Sequence, residues 1–484
     1  MPTENPAEHP LEPSAQEMRR LLGEVQERLV AYVESLPEQT VSANNPGFEV
    51  ARSLAETVPP EGGAPVSELL DLLFDRAIPH SFNPASPGYF AFIPGGGLFH
   101  AGVADLIADV TNRYTSVYSA APALARIEAN VVAWFCHLAG YPAEARGILT
   151  SGGSLANWTG IVTARRERLP EDFLSGVLYA SDQAHHCVAK SAMLAGFPER
   201  NVRRVPTDGR FRIRLDALEA MIDEDRRRGL TPFLVVGNAG TTNTGAVDPL
   251  PELADLAARL GLWFHVDAAY GGFFLLTEAG KKTLRGIERA DSIVLDPHKG
   301  LFLPYGTGAL LVRDGQALRR THSVAADYMP HIQDDPDLVD FCEYSPELSR
   351  PFRGLRIWLP VKMHGLGAFR AALEEKLDLT RLAFDRVRRM DAVEILAEPE
   401  LSLFAFRLVP PGVADPEELN RLNRRFLEKV NARQRVFLTG TLLGATYALR
   451  LCILHLRTHR DRVEAALEDI EVAAKEILER SLVV

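Results

Sequence analysis

The side chains best suited to chemistry in this sequence follow short apolar runs, at the points where strands would end. In "DSIVLDPHKG" such a run leads to His298 and Lys299. A lysine whose amine is neutral is a nucleophile that forms an imine with an aldehyde, and burial or a neighbouring cation favours the neutral form. His298 could position a carboxylate or relay a proton. The pair therefore indicates covalent chemistry, although a strand that ends in a charge is the plainer interpretation.

A carboxylate ends another apolar run, in "LWFHVDAAYGG", where Asp267 is followed by Ala268 and Ala269. Burying a carboxylate without a partner is costly, so Asp267 either caps the strand end or pairs with a cation. The cation could be the protonated ring nitrogen of a cofactor, because the two alanines would leave room for a flat ring.

The stretch "TSGGSLANW" predicts an anion site, because Gly152, Gly153 and Ser154 lie between a strand and a helix. Backbone N–H groups at a helix start attract negative charge, although a tight turn with a helix cap is an equally simple explanation. The nucleotide-binding patterns GxGxxG and GxxxxGK[ST] are absent from the sequence, which favours a single phosphate ester. His185 and His186, after "YASDQA", offer an imidazole to stack on a ring, and their spacing does not suit a metal.

A phosphate site, an acid for a ring nitrogen, a stacking imidazole and an imine-forming lysine together describe a site for pyridoxal 5'-phosphate (PLP). The protein would then orient the bond to be broken and exclude competing reactions.

The elements that must position these residues form an α/β pattern. Between about 90 and 315, short apolar runs alternate with helical stretches, which predicts a mostly parallel sheet with helices on both faces. Ligands gather at the carboxyl ends of the strands in such sheets. Segment 1–90 is predicted to be helical, 91–375 to be the large domain, and 376–484 to be a small α+β domain.

Composition bounds the remaining possibilities. The 484-residue chain has a formal net charge of -11, which disfavours a nucleic-acid surface. Its four cysteines are scattered without CxxC spacing, as expected in a reducing compartment. The first 16 residues are polar and proline-rich, and the sequence contains no uncharged apolar window of about 18 residues. We expect a cytoplasmic globular protein.

The motifs "SDQAHHCVAK", "GTTNTGAVDPL", "LWFHVDAAYGG" and "DPHKGLF" resemble, in this order, those of the group II PLP-dependent amino-acid decarboxylases. The resemblance runs from about residue 80 to the C-terminus. It implies the aminotransferase-like fold type I and a homodimer with active sites at its interface.

The resemblance also implies roles for individual residues. Lys299 would form the imine with PLP and Asp267, beside Ala269, would bind the pyridine nitrogen. His185 would stack on the ring and Thr242 would lie near its 3'-hydroxyl. Gly152, Gly153 and Ser154 would bind the phosphate, and His298 would face the substrate.

Two departures from the family concern the pocket. Many relatives have asparagine at Asp296, close to the phosphate. A carboxylate there would repel the phosphate, so Asp296 could instead accept backbone N–H bonds or a proton. In "SPGYFAFIPGGG" the pair Phe92 and Ile93 replaces the Tyr-Phe of the animal aromatic enzymes. We predict an apolar substrate pocket there, with simple core packing as the alternative.

The third departure lies between Ser323 and Arg350, where relatives have a mobile loop whose tyrosine protonates the carbanion left by CO2 loss. An ungapped alignment of "SRPFRGLRIW" places Phe341 at that tyrosine, while Tyr328 and Tyr344 are near in sequence. Some plant relatives with phenylalanine there are aldehyde synthases, in which oxygen intercepts the carbanion. We favour simple decarboxylation.

The sequence thus predicts decarboxylation of an L-amino acid to its amine, with an aromatic or other apolar side chain. A glutamate-like substrate would need a cation, for which Arg113, Arg126 and Arg350 are candidates. The alternatives are an aldehyde synthase, another fold type I reaction such as transamination or β-elimination, and a non-enzymatic PLP-binding protein, because a fold does not fix a function.

Overall fold

The computed structural model describes residues 11–42, 47–324 and 338–481. Its centre is a seven-stranded sheet with the strand order β1-β7-β6-β5-β4-β2-β3. The strands are β1 (Arg146–Thr150), β2 (Gly176–Ser181), β3 (Val202–Val205), β4 (Thr231–Asn238), β5 (Trp263–Asp267), β6 (Ser292–Leu295) and β7 (Gly308–Val312).

Six strands of this sheet run parallel to one another, and β7 is antiparallel to both of its neighbours, β1 and β6. Every residue of β2, β5, β6 and β7 is buried, so helices must cover both faces. The predicted α/β class is confirmed. The sequence interpretation missed β3, a four-residue strand whose side chains are mostly half-exposed.

Helices on and around the sheet connect these strands. They are α4 (Phe99–Thr111), α5 (Pro122–Leu138), α6 (Gly153–Arg168), α7 (His186–Leu194), α8 (Leu215–Arg227), α9 (Leu250–Leu260), α10 (Glu278–Thr283), α11 (Pro297–Gly300), α12 (Gly315–His322) and α13 (Phe341–Tyr344). The small apolar and glycine residues of α6 let it pack closely on β6 and β7.

A second sheet of four antiparallel strands has the order β10-β11-β9-β8. Its strands are β8 (Val393–Ala397), β9 (Leu403–Leu408), β10 (Thr439–Leu443) and β11 (Thr446–Cys452). Three of them overlap stretches that the sequence predicts to be strands, "LSLFAFRLV", "RVFLTGT" and "YALRLCILH", while the half-exposed edge strand β8 was missed. Helices α15 (Pro416–Asn431) and α16 (Arg460–Ser481) pack on this sheet and on each other.

Helix α14 (Arg353–Val387) connects the two sheets and is interrupted at Gly365, whose φ of 70° and ψ of 156° are not helical. Its first part packs against α4 and α5, and its second part contributes Leu379, Ala383 and Val387 to the core of the small sheet. The predicted boundary near residue 375 therefore falls within a continuous helical segment, and the division into three segments stays a prediction.

The chain before the large sheet also contacts the small one. Phe90 is 1% exposed and lies in the core beneath the four-stranded sheet. The adjacent Tyr89 pairs with Phe437 through an isolated β-bridge. The segment leading to the large sheet is thus anchored on the small one.

The N-terminal part contains the helices α1 (Ala15–Ser35), α2 (Phe48–Ser53) and α3 (Val66–Asp71). Ser14 and Glu17 form a reciprocal capping box at the start of α1. Helix α1 contains no buried residue. Within the described part of the chain, no helix is both long and apolar enough to cross a membrane.

Candidate active site

The carboxyl ends of β1, β2, β4, β5 and β6 meet at one edge of the large sheet, because these strands are parallel. A cavity of about 290 Å³ lies at this edge. Its walls include predicted residues from five separate strand ends, namely Gly152, Gly153, Ser154, His185, Thr242, Asp267, Ala269, Asp296, His298 and Lys299. The structure therefore brings together all of the residues predicted to surround the cofactor.

Lys299 lies in α11, immediately after β6, and its Nζ is 2.8 Å from Oδ2 of Asp296. Burial on its own lowers the pKa of Lys299, but the charge and hydrogen bond of Asp296 outweigh it and raise that pKa above the ordinary value. The amine is therefore protonated at neutral pH.

Asp296 is nearly buried and touches the predicted phosphate site. A Cβ at Gly153 would lie 2.9 Å from Asp296 Oδ2, so only glycine lets the helix start approach this carboxylate. Oδ1 of Asp296 is buried and has no hydrogen-bond partner among the described residues. No backbone N–H of the described residues bonds to this carboxylate, and its partner is the amine of Lys299.

Asp267 ends β5 and accepts two hydrogen bonds. Nδ2 of Asn157 lies 3.2 Å from one carboxylate oxygen, and the backbone N–H of Ala269 lies 3.1 Å from the other. These donors stabilise the charged carboxylate and fix its plane. Asp267 is thus prepared to receive a cation from the cavity side.

His185 precedes α7 and caps it, since its Nδ1 accepts the backbone N–H of Cys187 at 3.3 Å. Burial lowers the pKa of His185, although the charge of Asp267 opposes the shift. The ring is therefore neutral at pH 7. His186 contacts it with ring centroids 4.1 Å apart but does not line the cavity.

Helix α6 begins at Gly153 after the cap residue Gly152, and no side chain caps it. The first N–H groups of a helix need a partner, and an anion is the usual one. Ser154 adds a hydroxyl at the same end. The local geometry therefore fits a phosphate ester.

His298 follows Asp296 in α11, and its Nδ1 lies 2.5 Å from the carbonyl oxygen of Thr307. A carbonyl only accepts, so Nδ1 carries the proton. Burial lowers the pKa of His298 despite the opposing charge of Asp296, so the second proton is absent at pH 7. Its Nε2 lone pair is left for another ligand.

Phe92 and Ile93 do not line the cavity. Ile93 is 6% exposed and belongs to the main core, so the core interpretation is correct for this residue. Phe92 is 54% exposed with a positive φ of 53°, and its carbonyl accepts a hydrogen bond from Arg450 at 3.3 Å. The segment does reach the site at Gly95, where a Cβ would lie 2.0 Å from the carbonyl oxygen of His298.

Phe341 and Tyr344 also lie away from the cavity. Both are buried in α13, where Phe341 is 1% exposed and packs beneath the guanidinium of Arg350 at 4.9 Å. Phe341 faces a different cavity of about 400 Å³, next to Arg126. Within one chain, neither aromatic residue reaches Lys299, and Tyr328 lies outside the described residues.

The three candidate arginines do not line the cavity either. Arg350 is fully buried in an ion pair with Glu128, with 2.5 Å between the charged atoms. Arg113 is exposed, and Arg126 lines the separate cavity beside Phe341. Within the described chain, none of the three supplies a cation next to Lys299.

Several lining residues were not predicted, namely Asn157, Cys187, Asn238 and Tyr270. Asn157 could have been found, because it lies four residues after Gly153 in the same predicted helix and so faces the same way. The others carried no such signal.

These residues fit PLP. The cavity is lined by the amine of Lys299, the carboxylate of Asp267, the uncapped start of α6 and the imidazole of His185. The amine can bond to an aldehyde, the carboxylate to a pyridinium nitrogen and the helix start to a phosphate ester. The site is that of a PLP-dependent enzyme.

Residues 76–409 match the family described as "Pyridoxal-dependent decarboxylase conserved domain". The chain belongs to this family, the group II PLP-dependent amino-acid decarboxylases. It is a PLP-dependent amino-acid decarboxylase, and its cofactor is PLP, as the sequence predicts.

Known proteins are similar to this one over nearly the whole chain. The aromatic-L-amino-acid decarboxylase of Bacillus atrophaeus is 34% identical over 96% of this chain and 97% of its own length. The crystal structure of Oryza sativa TDC with PLP and tryptamine has a TM-score of 0.90 and 28% identity, over 96% of this chain and 99% of that one. Rhodiola rosea 4-hydroxyphenylacetaldehyde synthase, with a TM-score of 0.88, 24% identity and the same coverage, shows the shared fold alone.

Proposed function

We propose that this enzyme converts an aromatic L-amino acid to the corresponding amine and CO2. The observation that carries the proposal is the cavity in which the amine of Lys299 and the carboxylate of Asp267 lie with His185 and the start of α6. Bound PLP supplies an aldehyde for amines and a ring that accepts the electron pair left when CO2 departs.

Several lining residues have a part in this reaction. Lys299 would hold the cofactor through its amine and would give up this place to the amine of the substrate. Asp296, at 2.8 Å, receives or returns the proton on Nζ during the exchange. Asp267 would hold the ring nitrogen, His185 would lie against the ring and Thr242 near its hydroxyl, and Gly152, Gly153 and Ser154 would bind the phosphate.

His298 orients the substrate carboxylate in this proposal. Its Nδ1 proton is held by Thr307, so only Nε2 can face the substrate, either as an acceptor or, once protonated, as a donor. PLP enzymes break the bond held perpendicular to the ring plane, so fixing the carboxylate selects decarboxylation over transamination.

An aromatic substrate is supported by the lining and by the relatives. None of the three candidate arginines lines the cavity, which disfavours a side-chain carboxylate such as that of glutamate. The exposed ring of Phe92 lies on the segment that passes His298. Two relatives that span nearly the whole chain are named for aromatic amino acids or have an aromatic amine bound.

An amine product, rather than an aldehyde, is supported by the position of Phe341. Phe341 is packed in the core under Arg350. It therefore does not decide whether the carbanion takes up a proton or reacts with oxygen. We propose that proton return is left to another donor, and Tyr344, also buried, does not serve in this arrangement.

We further propose that the enzyme is a homodimer of the cytoplasm with active sites at the interface. Five large apolar side chains are exposed along one face of α4, at Phe99, Val103, Leu106, Ile107 and Val110. An apolar stripe of this size indicates a protein interface. The four cysteines are free, which suits a reducing compartment.

The test is to supply PLP and screen L-tryptophan, L-tyrosine, L-phenylalanine, DOPA, 5-hydroxytryptophan, L-histidine and L-glutamate for CO2, amine and peroxide together. We expect amine equal to CO2 with aromatic substrates and no peroxide. Lys299→Ala should lose the absorbance near 420 nm and activity, whereas Lys190→Ala, an exposed lysine on α7, should keep both. Peroxide and aldehyde in place of amine would establish the synthase, and glutamate as the best substrate would refute the aromatic assignment.

A further inference from the structure

A chain of hydrogen bonds runs through the core behind Asp267. Nε1 of Trp263 lies 2.8 Å from Oγ of Ser292, which lies 2.7 Å from Nδ1 of His265. Nε2 of His265 lies 3.0 Å from Oδ1 of Asn157, whose Nδ2 lies 3.2 Å from Asp267. Asn157, His265 and Ser292 are fully buried and Trp263 is 4% exposed, so water does not compete for these bonds.

The direction of this chain is fixed at its cavity end. Nδ2 of Asn157 also lies 3.0 Å from the carbonyl oxygen of Gly153, which can only accept. The amide NH2 must therefore point toward Gly153 and Asp267. Oδ1 of Asn157 then faces His265, and Nε2 of that ring must carry a proton.

The far end agrees with this direction. Burial lowers the pKa of His265 to about 4, although the charge of Asp267 opposes the shift, so the ring holds a single proton at neutral pH. With that proton on Nε2, Nδ1 accepts from the hydroxyl of Ser292. The indole of Trp263 can only donate, so it fills an acceptor position of Ser292 and leaves the serine proton for His265.

Helix α6 leaves room for this chain of hydrogen bonds. A Cβ at Gly160 in α6 would lie 2.9 Å from Cε1 of His265, so glycine is needed for the ring to reach Asn157. The four polar side chains come from three elements, α6, β5 and β6. Positions buried as deeply as these are usually occupied by apolar side chains. Each buried donor and acceptor in the chain is paired, as a costly polar core requires.

We propose that Trp263, Ser292, His265 and Asn157 are positioning residues that deliver a fixed donor to Asp267, so that the carboxylate stays an anion and the shared proton stays on the PLP ring nitrogen. The inference rests on the proposed pairing of Asp267 with that nitrogen. A proton on the nitrogen makes the ring the stronger electron acceptor, so the chain acts on the reaction without touching the substrate.

The experiment is 15N NMR of the holoenzyme loaded with PLP labelled at the ring nitrogen, since this signal differs strongly between protonated and unprotonated pyridine. We expect the protonated position in the wild type. Asn157→Leu removes the donor to Asp267 and should move the signal to the unprotonated position. Ser292→Ala, a smaller change three hydrogen bonds away from Asp267, should move it part of the way.

Thr159→Val is the matched control, because Thr159 is buried in α6 and its hydroxyl bonds only to the carbonyl of Leu155. It should leave the signal unchanged. A signal that stays protonated in both chain variants, or moves equally in Thr159→Val, overturns the inference. An unprotonated nitrogen in the wild type refutes instead the assignment of Asp267, and a wild type that binds no PLP refutes the proposed function.

Discussion

At the scale of single residues, the pair of Asp296 and Lys299 is the least expected part of the site. The carboxylate lies beside the helix start proposed for the phosphate, where a second negative charge is unfavourable by itself. Its contact with the Lys299 amine offsets that charge and holds the amine protonated. One proton can then move along the hydrogen bond between the two residues. Both are charged when the proton is on the amine, and both are neutral when it is on the carboxylate.

Asp296→Asn should shift the pH dependence of PLP uptake. Without the carboxylate, burial lowers the pKa of Lys299 and only the smaller effects of Asp267 and Cys187 oppose it. More of the amine is neutral at a given pH, so the rising limb of the uptake rate should move to lower pH. Stopped-flow absorbance near 420 nm on PLP-depleted enzyme measures it, with the exposed Asp182→Asn as control. An unchanged limb would show that Asp296 does not govern the proton on Lys299.

The sequence located several residues that line the cavity, because strand ends are visible as apolar runs followed by polar residues. Lys299, Asp267 and His185 were found in this way. Ile93 and Phe341 were placed at the pocket by resemblance alone, and both are buried in the main core. Local sequence does not tell whether an apolar side chain faces a cavity or the core a few ångströms away.

At the scale of secondary-structure elements, the sheet edge concentrates the site and α4 carries an exposed apolar stripe. Residues 99, 103, 106, 107 and 110 fall on one helical face, and Val110 is 74% exposed. The periodicity of α4 was readable, but which helix face the fold would leave uncovered depends on where α5 and α14 pack. Strands β3 and β8 were missed for a related reason, since half-exposed edge strands lack a strong apolar signal.

The double variant Leu106→Asp with Val110→Asp should yield a monomer. Two carboxylates within the apolar stripe would be desolvated in an interface, at a cost of several kcal/mol. Light scattering coupled to size exclusion should give twice the chain mass for the wild type and the single mass for the variant. Leu174→Asp, exposed on a loop, should remain dimeric. If the wild type itself elutes as a monomer, or the variant as a dimer, α4 is not the interface.

At the scale of the whole molecule, buried neutral histidines tie stability to pH. Burial lowers the pKa of His455 to about 3 and that of His265 to about 4. In His455, Nε2 donates to the carbonyl of Pro84 and Nδ1 accepts from the backbone N–H of Arg457. Because Nε2 already carries a proton, a second proton would have to bind Nδ1, and the hydrogen bond from Arg457 would then be lost. Both rings must therefore unfold, or break their contacts, to become charged.

Acidification from pH 7.5 to pH 5 should consequently lower the free energy of unfolding. The unfolded chain gains a proton on each ring below about pH 6.5 while the folded chain does not, so stability is retained above that pH and lost below it. Each histidine contributes about 2 kcal/mol of this loss by pH 5. Urea titrations of His455→Gln should show a shallower loss, whereas the exposed His80→Gln should match the wild type. Equal slopes in all three proteins would contradict the prediction.

The division of the molecule was only partly visible in the sequence. The change of pattern near residue 90 and the second group of strands were readable, but α14 crosses the proposed boundary and Phe90 lies in the core beneath the small sheet. Such a long-range contact leaves no local trace in the sequence.

Phe90 has a consequence for how the chain can fold during synthesis. Its ring packs among side chains from the last quarter of the sequence. The core of the small sheet therefore needs a segment that is synthesised long before the sheet itself. The segment with Phe90 has no partner until the small sheet is made, and closing the long loop between the two is slow. A fragment comprising only 376–484 would lack this ring and keep a hole in its centre, at a cost of about 3–5 kcal/mol. The two ends of the chain are thus expected to become stable together.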